Sequence, residues 1–274
     1  MAVEPRVAFL GPAGTFTHEA AQALCGPSAR YDACSTIDAV FDAVRRKDAP
    51  MGVVPIENST EGSVTQALDC LLGGDVQIAG EMVLDIVHCL ASHAPTLGEI
   101  ERVYSHPQAL AQCRRWLQAN VAQARLVDSP STAAAVRHAA GDHHGAAIGS
   151  RFAAALHAVP VMRDGIQDTE HNATRFALLA GEDAARTGDD KTTIAFAVHD
   201  ERGALLRVLE IFDRNGINLS RIESRPSKQR AWDYVFIADL EGHRADENVA
   251  RALGSLAEKC PMLKNLGSYP RFQA

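Results

Sequence analysis

Thr174 and Arg175 have the clearest chemical potential in this chain, because they stand where a polar segment turns into an apolar one. Residues 167–172 are polar, and residues 176–180 are apolar enough to form a buried strand. A hydroxyl and a guanidinium at the mouth of such a strand can donate hydrogen bonds to an anion. An ordinary strand that begins with a β-branched residue and a surface arginine would have the same sequence pattern, so this segment alone does not establish a ligand site.

Three further polar clusters share this setting, since each follows a predicted strand and opens a predicted helix. They are Glu-Asn-Ser at residues 57–59, Ser-His-Pro-Gln at 105–108 and Ser-Pro-Ser-Thr at 129–132. A serine or threonine in front of a helix is most often a plain N-cap. In open α/β sheets, however, ligands bind beyond the carboxyl ends of the strands. The four clusters together therefore predict one polar cleft.

The elements that would position these clusters form two successive β-α-β-α-β blocks. Strands are predicted at residues 6–10, 51–56, 102–104, 125–127, 146–148 and 159–162, and N-caps at Ser35, Ser63, Ser131 and Ser150. The apolar run 76–92 is predicted to be one strand that crosses between the blocks, and one helix is predicted from Pro107 to about residue 118. This pattern predicts an α/β domain with two lobes and a cleft between them.

A charged, glycine-containing segment at residues 181–190 predicts a boundary between domains at 1–181 and 191–274. After it the order is βαββαβ, with strands at 192–198, 217–223, 232–240 and about 263–268, and helices at 204–214 and 245–258. This order is typical of a small ferredoxin-like fold. The free edges and open face of such a sheet favour pairing with a second copy, so a homodimer or homotetramer is expected.

Composition narrows the class of protein. The 274 residues are 46% hydrophobic and 22% charged, as in an ordinary globular protein. The net charge of −7, without a basic stripe, argues against nucleic-acid or membrane binding. The start of the chain does not resemble an export signal, so a cytoplasmic location is expected. The six cysteines lack metal-ligand spacing, and the histidines at 143 and 144 are adjacent in a loop, so no metal is expected.

Several motifs together resemble the prephenate dehydratase family. They are G-P-A-G-T-F at residues 11–16, V-P-I-E-N-S at 54–59, S-H-P-Q at 105–108, S-T at 131–132 and T-R-F at 174–176. G-A-L-L at 203–206 and E-S-R-P at 223–226 resemble the phenylalanine-responsive ACT domain that follows the catalytic domain in this family. The resemblance implies a periplasmic-binding-protein-like fold for the two lobes. Because no chorismate mutase segment precedes the first strand, the monofunctional form is expected.

The resemblance implies that prephenate loses carbon dioxide and its ring hydroxyl to give phenylpyruvate, in the biosynthesis of phenylalanine. Aromatisation drives the reaction, so neither a metal nor an organic cofactor is expected. The protein has to hold two carboxylates and stabilise a departing hydroxide, which helix N-termini, hydroxyls and amides can do. Arogenate dehydratase is the close alternative, and a non-catalytic small-anion-binding protein is a more distant one.

The resemblance also implies roles for individual residues. Thr174 is expected to donate a hydrogen bond to the departing hydroxyl, because its own hydroxyl is too weak an acid to transfer a proton outright. The other residues implied in catalysis are Asn58, Ser59, Ser105 and Gln112, and those implied in substrate binding are Glu57, His106, Ser131, Thr132, Arg175 and Phe176. Four of these have structural alternatives: a salt bridge for Arg175, which should point away from Thr174, a loop brace for Glu57, packing for Phe176 and a capping position before the helix-opening proline for His106. The residues implied in binding phenylalanine as a feedback effector are Gly203, Ala204, Leu205, Asn218, Leu219, Glu223, Ser224 and Arg225.

Overall fold

The computed structural model describes residues 4–169, 171–226 and 234–273. In chain order the strands are β1 (Arg6–Leu10), β2 (Arg30–Cys34), β3 (Met51–Asn58), β4 (Gly62–Ser63), β5 (Gln77–Asp85), β6 (Cys89–Ser92), β7 (Arg102–Ser105), β8 (Arg125–Asp128), β9 (Gly145–Gly149), β10 (Val161–Arg163), β11 (Ala173–Ala180), β12 (Asp190–Ala197), β13 (Leu219–Pro226), β14 (Tyr234–Glu241) and β15 (Met262–Pro270). The helices are α1 (Phe16–Cys25), α2 (Ile37–Arg45), α3 (Thr65–Gly73), α4 (Pro107–Gln112), α5 (Arg114–Asn120), α6 (Thr132–Ala139), α7 (Arg151–Leu156), α8 (Ala204–Arg214) and α9 (Glu247–Lys259), with a 3-10 turn at Leu97–Glu99.

The first lobe is a sheet with the strand order β2-β1-β3-β11-β5, to which β4 adds beside β3. Strands β1, β2 and β3 run parallel, whereas β11 lies antiparallel between β3 and β5. The register of β11 places Thr174 directly opposite Asn58. A strand that arrives late in the chain therefore completes this lobe and brings two of the predicted polar clusters together.

The second lobe is a sheet with the order β10-β6-β9-β7-β8. Its central strand β9 is buried along its whole length, because alternate residues face two different apolar clusters. Ala146 and Ile148 pack with Val103 and Leu117 on one side, and Ala147 packs with residues of α6 and α7 on the other. This burial on both faces explains why the strand reads as an unbroken apolar run.

The C-terminal domain is a four-stranded sheet with the order β13-β14-β12-β15. Helices α8 and α9 cover one face, and Val208, Ile211 and Phe212 of α8 are buried against it. The βαββαβ order of the described elements confirms the predicted ferredoxin-like fold, and the two preceding sheets confirm the predicted two-lobed α/β domain. The start of the predicted strand at residue 232 lies outside the described residues.

The two domains meet where β15 lies along the edge strand β5. Gly267 of β15 has a φ of 143°, and a Cβ atom there would stand 2.1 Å from the carbonyl oxygen of Ile78. Only glycine permits so close an approach of two backbones. The ACT-like sheet is therefore docked directly on the sheet of the first lobe.

Several local predictions were wrong. Thr36 caps α2 in place of Ser35, its Oγ1 accepting from the N–H of Ala39 at 3.1 Å. Ser63 lies in β4, and α3 starts after Val64 without a side-chain cap. The run 76–92 is two strands separated by residues 86–88, and the helix predicted from Pro107 is broken at Cys113. In the described part of the chain, no helix is long and apolar enough to cross a membrane.

Candidate active site

A cavity of about 320 Å³ lies between the two lobes, at the ends of the strands where the polar clusters were predicted to meet. The first lobe supplies Thr15, Phe16, Thr17, Pro55, Asn58, Glu61, Val64, Asn172, Thr174 and Phe176 to its walls, the connection between the lobes supplies Ile86 and His88, and the second lobe supplies His106, Gln108, Ala109, Gln112, Pro130, Ser131 and Thr132. All four predicted clusters contribute to one cavity, and the polar side chains on its walls are mainly uncharged.

The Asn58 side chain organises the floor of this cavity. Its Oδ1 accepts from the backbone N–H groups of Thr60 and Glu61, at 2.9 and 3.2 Å, which fixes the orientation of the amide. Its Nδ2 donates to Asn172 Oδ1 and to Thr174 Oγ1, both at 2.8 Å. All four hydrogen bonds that an asparagine amide can make are therefore used, and the group is rigid.

The Thr174 hydroxyl is left with its proton available. The side chain is 92% buried (8% exposed), and its oxygen accepts from Asn58. A hydroxyl has one donor and two acceptor positions, and no described residue accepts from this one. Since Asn58 occupies an acceptor position, the hydroxyl proton is the group that Thr174 can offer to a molecule in the cavity.

Helix N-termini face the same space. Thr15 Oγ1 caps α1 by accepting from the N–H of His18, and Ser131 Oγ caps α6 by accepting from the N–H of Ala134. His106 caps the short helix α4 through its Nδ1. Among the described residues that line the cavity there is no lysine and no arginine. An anion bound here would be held by the positive ends of helices and by hydroxyl and amide donors.

His88 and Gln112 form a neutral pair on the wall between the lobes. The imidazole Nε2 lies 2.9 Å from Gln112 Oε1, and the ring packs edge-on against Phe16 with centroids 6.0 Å apart. Burial lowers the pKa of His88 below its ordinary value, which favours the neutral imidazole. Because an amide oxygen only accepts, Nε2 carries the proton of that neutral ring.

Two serines predicted to be catalytic lie just outside the cavity. Ser59 Oγ accepts from the N–H of Ala173 at 2.9 Å, which joins the end of β3 to the start of β11. Ser105 is fully buried, and its Oγ donates to the carbonyl oxygen of Ile148 at 2.8 Å. In this arrangement both hydroxyls hold neighbouring strands together.

Arg175 and Glu57 also lie away from the cavity, in the junction between the domains. The Arg175 guanidinium contacts Glu81 at 2.7 Å, Asp239 at 2.5 Å and the hydroxyl of Tyr269 at 2.8 Å. Burial by itself lowers the pKa of Arg175, but Tyr269 and the two carboxylates raise it above its ordinary value. Glu57 pairs with Arg221 at 3.2 Å. Strand alternation explains the outcome, since Arg175 must face opposite to Thr174.

An open groove of about 1400 Å³ lies on the C-terminal domain and is lined by four of the residues predicted to bind phenylalanine, namely Gly203, Ala204, Leu205 and Ser224. Gly203 has a φ of 78° and precedes α8, whose first N–H groups have no acceptor within the helix. The N–H of Ala204 donates to the carbonyl oxygen of Glu201 at 3.2 Å, and those of Leu205 and Leu206 follow it. The residues Leu206 and Tyr234, which also line the groove, are 60% and 45% exposed.

The other four predicted effector residues do not line the groove. Glu223 and Arg225 alternate with Ser224 along β13 and point to the opposite face, where Glu223 contacts Ser63 and Arg225 donates to Asp69 at 2.9 Å. Leu219 packs in the core of the domain, and the Asn218 carbonyl accepts from the N–H of Glu241. The E-S-R-P motif therefore contributes side chains to both faces of β13, and its serine is the residue that lines the groove.

Comparison with known proteins identifies this architecture. The family model described as prephenate dehydratase matches residues 7–184, and the model of the ACT domain matches residues 192–258. The chain belongs to the prephenate dehydratase family. The family resemblance read from the motifs is thereby confirmed, together with the lyase class of enzyme that it implies.

Relatives of known name match over most of the chain. A bifunctional chorismate mutase/prephenate dehydratase of Aquifex aeolicus (strain VF5) is 49% identical, over 97% of this chain and 74% of its own length. The prephenate dehydratase of Amycolatopsis methanolica is 38% identical, over 97% of this chain and 88% of its own. A prephenate dehydratase of Arthrobacter aurescens, solved in complex with L-Phe, is 37% identical with a TM-score of 0.86, over 97% of this chain and 90% of its own.

The cavity residues that had not been singled out from the sequence include Thr15, His88 and Asn172. Thr15 lies in the glycine-rich motif at residues 11–16, which was assigned to the family without a site role. His88 is hidden in the apolar run 76–92. Asn172 stands two residues before Thr174, in the polar segment itself. Its side chain faces the cavity because Asn58 binds its oxygen.

Proposed function

We propose that this chain converts prephenate to phenylpyruvate in the cavity between its lobes, with catalysis in residues 1–181 and regulation in residues 191–274. In this reaction the bond from the ring carbon to its hydroxyl breaks, and the electron pair leaves on oxygen. The ring carboxylate departs as carbon dioxide and leaves its bonding pair to complete the aromatic ring. The departing hydroxide takes up one proton from the solvent and leaves as water. Aromatisation supplies the driving force, so the protein has to bind two carboxylates and stabilise one departing oxygen.

The Thr174 hydroxyl is the observation that carries this proposal. It is held 2.8 Å from the Asn58 amide on the wall of the cavity, with its proton unclaimed by any described residue. A donor fixed before the substrate arrives stabilises developing negative charge without reorganising. The N-termini of α1 and α6, capped by Thr15 and Ser131, are the proposed carboxylate sites. Gln112, His106, Thr132 and Phe176 form the remaining walls.

The direct test is turnover of prephenate by the purified chain. Phenylpyruvate formation, followed by its absorbance in alkali, should be catalysed without added metal or cofactor. Arogenate in a parallel assay distinguishes the close alternative, and kcat/KM should favour prephenate. Binding of prephenate without turnover would instead indicate an anion-binding protein, and a preference for arogenate would indicate the arogenate dehydratase.

The groove beside Gly203 is the proposed binding site for L-phenylalanine as a feedback effector. The carboxylate would meet the N–H groups at the start of α8, and the apolar side chains of Leu205 and Leu206 would contact the ring. The relative of Arthrobacter aurescens was solved with L-Phe, which supports this ligand. We further propose that a second copy of the chain covers the groove, in a homodimer or homotetramer, and that the enzyme is cytoplasmic.

Phenylalanine is expected to inhibit this enzyme through that groove. Its addition should raise the apparent KM for prephenate by roughly 5–150-fold, the range for a coupling of 1–3 kcal/mol. Gly203→Val, which places a side chain at a φ of 78°, and Ser224→Ala should both weaken the inhibition. Ser255→Ala, on α9 and outside the groove lining, is the matched control and should respond like wild type. Equal inhibition of all the variants would place the effector site elsewhere.

A further inference from the structure

The amide of Asn172 is a second polar group that the floor of the cavity holds in one orientation. Its Oδ1 accepts from Asn58 Nδ2 at 2.8 Å and from Thr60 Oγ1 at 3.1 Å, so both acceptor positions of the oxygen are occupied. Because Asn58 itself is oriented by two backbone N–H groups, the atom that it donates to must be the oxygen of Asn172. The Nδ2 group of Asn172 is thereby directed away from Asn58.

This Nδ2 group has no acceptor among the described residues. It is also absent from the buried side-chain atoms that lack a partner, and Asn172 lines the cavity, so the amide hydrogens are accessible from it. The side chains of Asn172 and Thr174 are neighbours, since both accept a hydrogen bond from Asn58 Nδ2 at 2.8 Å. The floor of the cavity thus carries two neighbouring donors, and one amide positions both of them.

The proposed reaction requires two neighbouring donors of this kind where the ring hydroxyl departs. Negative charge develops on the oxygen that leaves the ring, and that oxygen has lone pairs for more than one donor. Two donors aimed at the same developing charge form the equivalent of an oxyanion hole, in which removal of one donor costs roughly 10²–10³-fold in kcat. The other side chains near Thr174 offer less, since Phe176 and Pro55 have no side-chain donor and both hydrogens of the Asn58 amide are already used.

We propose that Asn172 is a catalytic residue, whose Nδ2 donates a hydrogen bond to the departing ring hydroxyl beside that of Thr174, and that Asn58 is the positioning residue for both. This inference rests on the proposed function. It places the leaving oxygen against the floor of the cavity, and it places the two substrate carboxylates toward the N-termini of α1 and α6. It also assigns Asn58 an indirect role, in which its amide holds the donors without contacting the substrate.

Two substitutions at position 172 separate the donor from the rest of the side chain. Asn172→Asp keeps an oxygen that can accept from Asn58 and Thr60, but it replaces the donor with a second oxygen. Asn172→Ala removes both functions. Each should lower kcat roughly 10²–10³-fold. The matched control is Asn120→Asp, on α5, where the amide donates to the carbonyl oxygen of Trp116 and makes no contact with the cavity. This control should leave kcat unchanged.

Product affinity provides the readout that a structural role would not give. Phenylpyruvate lacks the ring hydroxyl, so its Kd should be the same for wild type and Asn172→Ala if Asn172 acts on that oxygen alone. The inference is overturned if Asn172→Ala keeps kcat within threefold, or if Asn172→Asp retains the wild-type rate without a donor. A parallel loss of product affinity would also overturn it, because the residue would then shape the cavity. Failure of wild-type protein to convert prephenate would overturn the proposed function instead, so the two failures are distinguishable.

Discussion

Replacing Thr174 by valine is expected to lower kcat for prephenate by about 10²–10⁴-fold, the usual worth of one positioned donor or acid. Valine keeps the branched shape of threonine and removes the hydroxyl, whose proton is the group offered to the cavity. KM should change far less than kcat, because the hydrogen bond strengthens as charge develops on the leaving oxygen. Steady-state kinetics with prephenate measure both constants.

Thr174→Ser is the matched control for this experiment. Serine keeps a hydroxyl that can accept from Asn58 Nδ2, so it should retain most of the turnover that valine loses. Thermal unfolding of both variants checks that the fold is intact, because valine leaves one Asn58 hydrogen without an acceptor. A near wild-type kcat in the valine variant would show that Thr174 is an ordinary strand residue without a catalytic role.

The sequence predicted that Asn58 and Thr174 share a cleft, but it did not predict that they touch. The prediction of a shared cleft follows from polar residues placed at the ends of apolar runs, which is a local pattern in the sequence. Their contact depends on β11 entering antiparallel between β3 and β5, which pairs residues 116 positions apart in the chain. Local periodicity carries no information about which strand becomes the neighbour.

The role of a single polar side chain depended on the face of the strand that it occupies. Arg175 was expected to point away from Thr174, and alternation along β11 placed it so, but its partners Asp239 and Tyr269 lie in another domain. Alternation likewise divides the E-S-R-P motif, with Ser224 on the groove and Arg225 on the junction. The motif identifies the residues, and alternation along the strand determines which face each residue occupies and what it contacts.

His88 was missed for a different reason. It lies in a run of apolar residues that reads as one continuous strand, and a lone histidine there is usually a satisfied core residue. The structure breaks that run at residues 86–88, which lets the imidazole reach Gln112 at 2.9 Å. The histidine itself was the signal in the sequence that could have revealed this residue. Burial penalises the charged imidazole, and a buried neutral imidazole needs a hydrogen-bond partner.

Replacing Arg175 by methionine is expected to lower the free energy of unfolding by about 3–5 kcal/mol, the cost of leaving a buried carboxylate without its cation. The side chain is 11% exposed, and those of Glu81 and Asp239 are each 2% exposed. Glu81 would keep Lys191 at 2.6 Å, but among the described residues the Asp239 carboxylate would keep only the Thr193 hydroxyl, at 2.8 Å. Denaturant unfolding measures the loss.

Two further variants identify the cause of that loss. Arg151→Met removes an arginine whose pair with Asp164 is on the surface, with side chains 66% and 36% exposed, and should cost less than about 1 kcal/mol. Adding Asp239→Asn to Arg175→Met removes the stranded charge and keeps an oxygen for Thr193, so it should restore part of the stability. If Arg175→Met were no less stable than Arg151→Met, the guanidinium would not hold the domains together. A substrate-binding role would then have to be reconsidered for Arg175, because its contacts at the junction with Glu57, Glu81, Asp239 and Tyr269 would contribute little to stability.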